Sequence, residues 1–122
     1  MNRLLVVALS ILLLLPGAAF GASPRRIVSL APSLTEIVYA IGLEKSLVGV
    51  SDYCDRPQGA RLKPKVGGMS NPSLEMIVSL RPDIVLMTTD GNPRAINERL
   101  IGMGVRTYVF QARRIGELPA EI

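Results

Sequence analysis

The chain has 122 residues and a formal net charge of +4, with no histidine, one cysteine and no tryptophan. Without histidine, a Ser-His-Asp or Cys-His catalytic site and His-ligated zinc or haem are excluded within this chain, and one cysteine allows no internal disulfide. The small net charge and the few aromatic residues argue against a nucleic-acid partner.

The chain begins with the composition of a secretory signal peptide, which we place at residues 1–21. A basic residue, Arg3, precedes a run at 4–15 in which eleven of twelve residues are apolar, and small residues follow. That run is shorter than the roughly 18 apolar residues that a membrane-spanning helix needs, so an uncleaved anchor is the weaker alternative. We expect cleavage before Ala22, or one residue later, and export of the mature chain.

Four short apolar runs rich in β-branched residues predict strands that are buried on both faces of a sheet. They lie at residues 27–31, 47–50, 83–88 and 105–110. Segments with helical periodicity separate them, apart from a long irregular stretch after the second run. Strands that alternate with helices predict an α/β fold with a parallel, Rossmann-like sheet and flanking helices, in one domain of about 100 residues.

Capping motifs mark the starts of three predicted helices. Ser33 and Glu36 have the spacing of a capping box, and Asn71 and Asn92 each precede a proline that suits the first turn of a helix. Each helix is expected to bury one apolar stripe against the sheet. The stripes are Leu34, Ile37, Val38 and Ile41 in the first helix, Leu74, Ile77 and Val78 in the second, and Ile96, Leu100 and Ile101 in the third.

The functional site is expected where the strands end. In parallel α/β sheets, ligands bind in the crevice beyond the carboxyl ends of the strands. Three segments meet this description, at residues 31–33, 51–71 and 89–92. The second is a loop rich in proline and glycine, and loops longer than about 12 to 15 residues in a compact domain are often functional.

Four segments resemble, in order and spacing, the periplasmic substrate-binding proteins of ABC importers for vitamin B12, haem and iron-siderophores. They are residues 26–36 (RIVSLAPSLTE), 48–55 (VGVSDYCD), 66–75 (VGGMSNPSLE) and 80–86 (LRPDIVL). The tyrosine-containing loop and the GGxxNP stretch are most similar to the cobalamin-binding branch. The resemblance implies two α/β lobes joined by one long helix, with the ligand held between the lobes.

On this resemblance, the chain corresponds to the first lobe of such a protein. Residues 22–114 match the N-terminal lobe, and residues 115–122 match the start of the interlobe helix. The C-terminal lobe is missing, so we expect either a truncated reading frame or a partner chain that supplies the rest. Because half of the pocket surface would then be absent, the chain alone is expected to bind ligand weakly or undetectably.

The resemblance implies a binding protein and not an enzyme, with no catalytic residue, resident metal or cofactor. Such a protein captures cobalamin or another corrinoid in the periplasm and delivers it to the permease and ATPase subunits of the importer. Haem or a ferric siderophore is the alternative ligand. Relatives that bind vitamin B12 have a tryptophan near the position of Gly68 or Met69, and this sequence has none.

The resemblance also implies the site residues. Tyr53 matches a pocket tyrosine, whose ring offers flat apolar area and one hydroxyl to a macrocycle. The other expected ligand-binding residues are Pro32, Ser33, Gly68, Met69 and Thr89. Glu75 matches the glutamate that docks on arginines of the permease, and its alternative role is to stabilise the dipole of its own helix.

Other interpretations stay open from the residues themselves. Cys54 is most simply a small hydrophobe in a loop, and a thiolate ligand to cobalt or iron is the alternative. A small exported α/β enzyme would have to use Asp52, Asp55 or Asp90 for acid–base catalysis, and these are more simply turn residues. A fragment without a function of its own is the third interpretation.

Overall fold

The computed structural model describes residues 24–111. Within that range, four strands form one parallel sheet in the order β2-β1-β3-β4. They are β1 (Ile27–Ser29), β2 (Leu47–Val50), β3 (Ile84–Thr88) and β4 (Thr107–Phe110). The predicted α/β fold with a parallel sheet is confirmed, whereas the predicted signal peptide at 1–21 and interlobe helix at 115–122 lie outside the described residues.

Helices connect these strands and lie on both faces of the sheet. They are α1 (Pro32–Ala40), α2 (Leu74–Ser79) and α3 (Arg94–Gly102), with 3₁₀ turns at Glu44–Ser46 and Gln58–Leu62. The chain runs from β1 outward to β2 and then returns to β3 on the other side of β1. The switch in strand order, beside which ligands of such sheets bind, therefore lies between β1 and β3. Among residues 24–111, no helix is both long enough and apolar enough to cross a membrane.

Two cores, one on each face of the sheet, follow from the alternation of side chains along the strands. The core under α2 and α3 contains Val28, Leu30, Val66, Ile77, Val85, Met87 and Leu100. The core under α1 contains Ile27, Val38, Leu47, Val50 and Cys54. Because both faces are covered, the central strands are continuous apolar runs, as the sequence predicts.

The start of α1 differs from the prediction. The helix begins at Pro32 with Ala31 as its N-cap, and no side chain caps it, so the predicted capping box of Ser33 and Glu36 is wrong. Proline already has the backbone angle of a first helical residue, and the helix therefore begins one residue before Ser33. The N–H of Thr35 bonds to the Ala31 carbonyl at 3.1 Å.

Ser73 caps α2, so the prediction that Asn71 does so is wrong. The Ser73 Oγ accepts a hydrogen bond of 3.3 Å from the N–H of Met76. Asn71 and Pro72 stay in the loop because Pro72 is bridged to Gly67 by backbone pairing. This pairing across the loop overrides the local preference for a cap at asparagine.

The third predicted cap, Asn92, is also wrong. α3 has Pro93 as its N-cap, with no side-chain hydrogen bond to the helix. The side chain of Asn92 instead bonds to backbone groups outside α3, among them the Thr88 N–H at 2.8 Å. Those partners come from other parts of the chain, which a local motif cannot indicate.

The helices bury less of their predicted apolar stripes than expected. Leu34 and Val38 of α1 are buried as predicted. The exposed members of the three stripes are Ile37, Ile41, Val78 and Ile101. Thr35 is fully buried in α1 because its hydroxyl has hydrogen-bond partners beneath the helix. Apolar periodicity does not register a buried polar residue of this kind, so it misplaces the face that α1 turns to the sheet.

The loop between β2 and α2 is anchored to the core in its second half. It returns along the outer edge of β2, where the Val66 N–H bonds to the Val50 carbonyl at 2.9 Å. Val66 is fully buried and packs beside Gly49, where an added Cβ would lie 3.2 Å from Val66 Cγ1 and 2.6 Å from Leu80 Cδ1. Close packing at Gly49 therefore sets the position from which the loop extends.

Candidate functional site

The predicted ligand-binding residues all lie on segments that leave one edge of the sheet. Because the strands are parallel, the carboxyl ends of β1, β2 and β3 share that edge. The residues are Pro32 and Ser33 after β1, Tyr53, Gly68 and Met69 in the loop after β2, and Thr89 after β3. We call the space beyond these strand ends the crevice. The role of these residues in ligand binding stays a prediction.

Tyr53 presents its ring at the crevice beside Gly68. The side chain is 67% exposed, and a Cβ on Gly68 would lie 4.0 Å from Tyr53 Cε2. The backbone holds the two residues together, since the Asp52 N–H bonds to the Gly67 carbonyl at 2.8 Å. A Cβ on Gly68 would also meet the Oδ1 of Asn71, the end of an exposed side chain, so a larger residue here would require that side chain to move.

Met69 joins the loop after β2 to the turn after β3. Its Cε lies over Gly91, where an added Cβ would approach it to 2.7 Å. Gly91 has a φ of +124°, in the region that favours glycine. Met69 is half-buried and belongs to neither core. Met69 therefore lies where these two segments meet, and its role in ligand binding stays a prediction.

Asn92 holds the crevice segments together, a role that its sequence motif does not indicate. Its Oδ1 accepts from the Thr88 N–H at 2.8 Å, and its Nδ2 donates to the carbonyls of Leu30 at 3.0 Å and Met69 at 2.9 Å. The side chain is only 8% exposed. The sequence feature that could have indicated this role is an asparagine directly before a proline, but the same feature is typical of a helix cap.

Thr89 lines a cavity of about 190 Å³ between α3 and the carboxyl ends of β3 and β4. Its N–H bonds to the Phe110 carbonyl at 2.9 Å. The other lining residues are Met87, Asn92, Pro93, Arg94, Asn97 and Val109. The cavity thus extends the crevice sideways, with apolar walls and two polar side chains from α3.

A buried polar cluster lies beneath the crevice, at the ends of β1 and β2. Its members are Ser29, Thr35, Ser51 and Cys54, all fully buried. The Oγ1 of Thr35 lies 2.9 Å from Ser29 Oγ and 3.1 Å from Cys54 Sγ, and Ser51 Oγ lies 3.1 Å from the same sulfur. Cys54 is therefore a small buried side chain, in agreement with the simpler of its two interpretations.

The carboxylates do not assemble into a metal centre in the described part of the chain. Asp52, Asp55 and Asp90, which an enzyme would have to use, are all exposed. Among residues 24–111, no group of three or more His, Cys, Asp or Glu side chains could hold a metal ion.

Glu75 lies at the end of the molecule that carries the crevice. It is in the first turn of α2, which starts at the carboxyl edge of the sheet, and it is exposed. Within the described residues, the Glu75 carboxylate has no hydrogen bond or ion pair. The ion pair found among residues 24–111 joins Arg94 to Glu98 at 3.0 Å. The carboxylate is thus available to a partner.

The fold and this crevice agree with comparisons to known proteins. A family described as periplasmic binding protein matches residues 27–121. The chain belongs to this family. Its members are binding proteins and not enzymes, which favours the binding-protein interpretation over that of an exported enzyme.

Proteins similar to this chain include ones named for binding vitamin B12 and ones named for binding haem. The chain is 39% identical, over 90% of its length, to a vitamin B12-binding protein of Vibrio vulnificus. The crystal structure of the periplasmic vitamin B12-binding protein of Vibrio cholerae is 38% identical, with a TM-score of 0.67 over 70% of this chain and 34% of that one. A periplasmic haem-binding protein of Pseudomonas aeruginosa is also 38% identical, with a TM-score of 0.69 over 74% of this chain and 32% of that one.

The match covers only part of each relative. The chain spans 41% of the length of the Vibrio vulnificus protein and 40% of that of a vitamin B12-binding protein of Pectobacterium carotovorum, to which it is 36% identical. The matched part contains one parallel sheet with flanking helices, in agreement with the predicted single lobe.

Proposed function

We propose that this chain forms one wall of the ligand crevice in the substrate-binding component of an ABC importer, and that the ligand is cobalamin or another corrinoid captured in the periplasm. The observation that carries the proposal is the 39% identity to a vitamin B12-binding protein over 90% of the chain. The proposed function involves no bond making or breaking.

The chemistry of the crevice supports a flat, bulky ligand. Tyr53 offers an exposed ring, and Met69 offers a polarisable thioether. Gly68 has no side chain to block the tyrosine face, while Ser33 and Thr89 add hydroxyl groups at the margin. Apolar area with a few polar groups around it is the usual composition of a site for a large organic ligand.

Haem is the second candidate, and one observation favours it. The haem-binding protein of Pseudomonas aeruginosa is as similar in sequence as the vitamin B12-binding protein of Vibrio cholerae, at 38% each. Iron in haem accepts a tyrosine oxygen as axial ligand. In that case the hydroxyl of Tyr53, and not its ring face, would make the decisive contact.

The first test is a titration of the ¹⁵N-labelled chain, followed by NMR. We expect cyanocobalamin, added to about 1 mM, to shift the amide signals of Tyr53, Gly68, Met69 and Thr89 in a saturable way. Binding should be weak because one lobe buries only part of the ligand. Haemin in a parallel titration tests the second candidate. Saturable shifts that map to another surface, and not to the crevice, would refute the proposal for this chain.

Variants of Tyr53 distinguish the two ligands. If the ring face binds a corrinoid, Tyr53→Phe should bind cyanocobalamin about as well as the wild type, while Tyr53→Ala should bind it several-fold more weakly. If the phenol oxygen binds haem iron, Tyr53→Phe, which removes only that oxygen, should already abolish the iron–phenolate absorption band. Tyr108→Phe is the matched control, since Tyr108 is exposed on β4, away from the loop after β2.

We propose further that Glu75 contacts the permease of the importer, with its ATPase subunits behind it. An exposed carboxylate without an ion pair in the described residues can meet an arginine of a partner in a directional, salt-sensitive contact. Its position in the first turn of α2 also suits a helix-dipole role, which makes a functional test necessary.

Charge reversal separates the two roles of Glu75. With the permease–ATPase complex in nanodiscs, Glu75→Arg should bind about tenfold more weakly than the wild type, with a smaller dependence on salt. Glu36→Arg, at an exposed position of α1, is the matched control and should bind like the wild type. Normal binding and transport by Glu75→Arg would contradict the docking role.

A further inference from the structure

One buried amide connects the three segments that border the crevice. Asn92 bonds to Leu30 at the end of β1, to Met69 in the loop after β2, and to Thr88 at the end of β3. Leu30 and Met69 are 62 and 23 residues away in the sequence. The oxygen and both N–H donors of the side chain are in use, which makes three of the four hydrogen bonds that an asparagine side chain can form.

The position of this amide coincides with the switch in strand order. β1 and β3 are neighbours in the sheet. The chain continues from β1 towards β2 on one side and from β3 towards β4 on the other, which opens a gap between the ends of β1 and β3. Asn92 lies across that gap. The Met69 side chain is held from the same turn, because its Cε packs over Gly91.

We propose that Asn92 is a positioning residue for ligand binding: it sets the separation of the Pro32–Ser33 turn, Met69 and Thr89 without touching the ligand itself. This inference rests on the proposed function of the crevice. Pro32 lies two residues after Leu30, and Thr89 is next to Thr88, so each bond of Asn92 acts within two residues of a predicted ligand contact.

The physical reason for asparagine is its pairing of one acceptor with two donors. A buried carbonyl that loses its donor retains the full cost of having left water. Without the Asn92 amide, the carbonyls of Leu30 and Met69 would have to reach solvent, which moves their segments apart. The expected consequence is a wider crevice with a mobile Met69, on a sheet that is otherwise intact.

Asn92→Asp is the sharpest substitution, because aspartate has nearly the same shape. It keeps an oxygen for the Thr88 N–H but offers the two carbonyls no donor when ionised and only one when protonated. Asn97→Asp is the matched control, since Asn97 lies on α3 and its Oδ1 accepts from Thr107 Oγ1, which aspartate can also do. We expect hydrogen exchange in residues 66–73 to become about tenfold faster, or more, in Asn92→Asp and to be unchanged in Asn97→Asp.

Ligand binding gives the second measurement. Cyanocobalamin and haemin are titrated against the wild type and Asn92→Asp, and we expect Asn92→Asp to bind whichever compound the wild type binds about tenfold more weakly. If neither compound binds the wild type detectably, as is expected when one lobe buries only part of the ligand, the exchange rates still decide whether Asn92 positions the loop. Shifts that saturate outside the crevice would contradict the proposed function and leave the exchange test of Asn92 unaffected. Wild-type exchange rates in residues 66–73 of Asn92→Asp would overturn the inference.

A measurement on the unmodified chain guards against variants that do not fold. The two Nδ2 protons of Asn92 should exchange slowly with water and show nuclear Overhauser effects to Leu30 and Met69. The side-chain amide of Asn71, which is exposed, provides the internal reference. Exchange of the Asn92 amide as fast as that of Asn71 would overturn the inference without any substitution.

Discussion

Two hydroxyl groups hold the thiol of Cys54 beneath the crevice. Thr35 Oγ1 and Ser51 Oγ each lie 3.1 Å from its sulfur, and the residue has no exposed surface. These contacts tie α1 and the loop after β2 to the end of β1. The Cys54 side chain, which the sequence most simply predicts to be a small hydrophobe, is thus part of the buried layer beneath the crevice segments.

This burial predicts an unreactive thiol. In native buffer we expect Ellman's reagent to label Cys54 at a rate orders of magnitude below that of a free thiol, because the reagent needs an accessible thiolate. Labelling should become complete once urea unfolds the chain, which serves as the control. Rapid stoichiometric labelling of the folded protein would show that Cys54 is open to solvent.

Gly68 lies next to the exposed ring of Tyr53 at the surface of the crevice. The tyrosine is 67% exposed, and a Cβ on Gly68 would come into ordinary contact with the ring, 4.0 Å from its Cε2. A larger side chain at position 68 would therefore border the tyrosine ring.

At the scale of elements, the helix starts were the least predictable features. α2 is a short helix of six residues, so each terminal hydrogen bond is a large share of its stability. Asn71 and Ser73, which are two residues apart, have similar intrinsic preference for the N-cap position. The pairing of Pro72 with Gly67 decides between them.

A pair of substitutions tests this assignment. Ser73→Ala should lower the free energy of unfolding by about 1 kcal/mol, because it removes the acceptor of the Met76 N–H. Asn71→Ala, at an exposed loop position, should change it by less than about 0.5 kcal/mol. Urea titrations measure both; a larger loss at Asn71 than at Ser73 would show that the helix starts earlier.

Tyr39 is a titratable residue of α1 that contacts the loop after β2. Tyr39 lies beneath the turn Gln58–Leu62, where a Cβ on Gly59 would be 3.1 Å from the tyrosine hydroxyl. Burial, and after it the Glu44 carboxylate, raise the pKa of Tyr39 above its ordinary value. The folded state therefore favours the neutral phenol.

The raised pKa of Tyr39 predicts an alkaline loss of stability. Its contribution is complete below about pH 10, where the phenol of the unfolded chain ionises, and is lost as the pH rises through the folded-state pKa. We expect the free energy of unfolding to fall more steeply above about pH 10 in the wild type than in Tyr39→Phe. Parallel slopes for the two proteins would contradict the shift.

At the scale of the whole molecule, the two cores leave little room between the sheet and its helices. Gly49 lies where β2, the returning loop and the end of α2 meet, with Leu80 and Val66 against it. The close approach of three elements needs a residue without a side chain. The position of the loop, and with it the crevice, depends on this packing.

Substitution of this glycine should destabilise the chain. Gly49→Ala places a Cβ 2.6 Å from Leu80 Cδ1, and overpacking of this kind costs about 1–3 kcal/mol. The thermal midpoint should fall by several degrees. Gly102→Ala is the matched control, because no atom lies within 4 Å of its added Cβ, and it should melt at or slightly above the wild type. If Gly49→Ala melts at the wild-type midpoint, the loop after β2 can move away from the added Cβ without a measurable loss of stability.

The sequence alone determined the strands, the fold class and the edge of the sheet at which the predicted site residues lie. These follow from apolar periodicity and strand–helix alternation, which are properties of neighbouring residues. Only the tertiary structure decided that Ser73 caps α2, that Thr35 is buried, and that Asn92 joins Leu30 to Met69. Each of these depends on partners brought near by folding, and a hydrogen bond across 62 residues leaves no periodic trace in the chain.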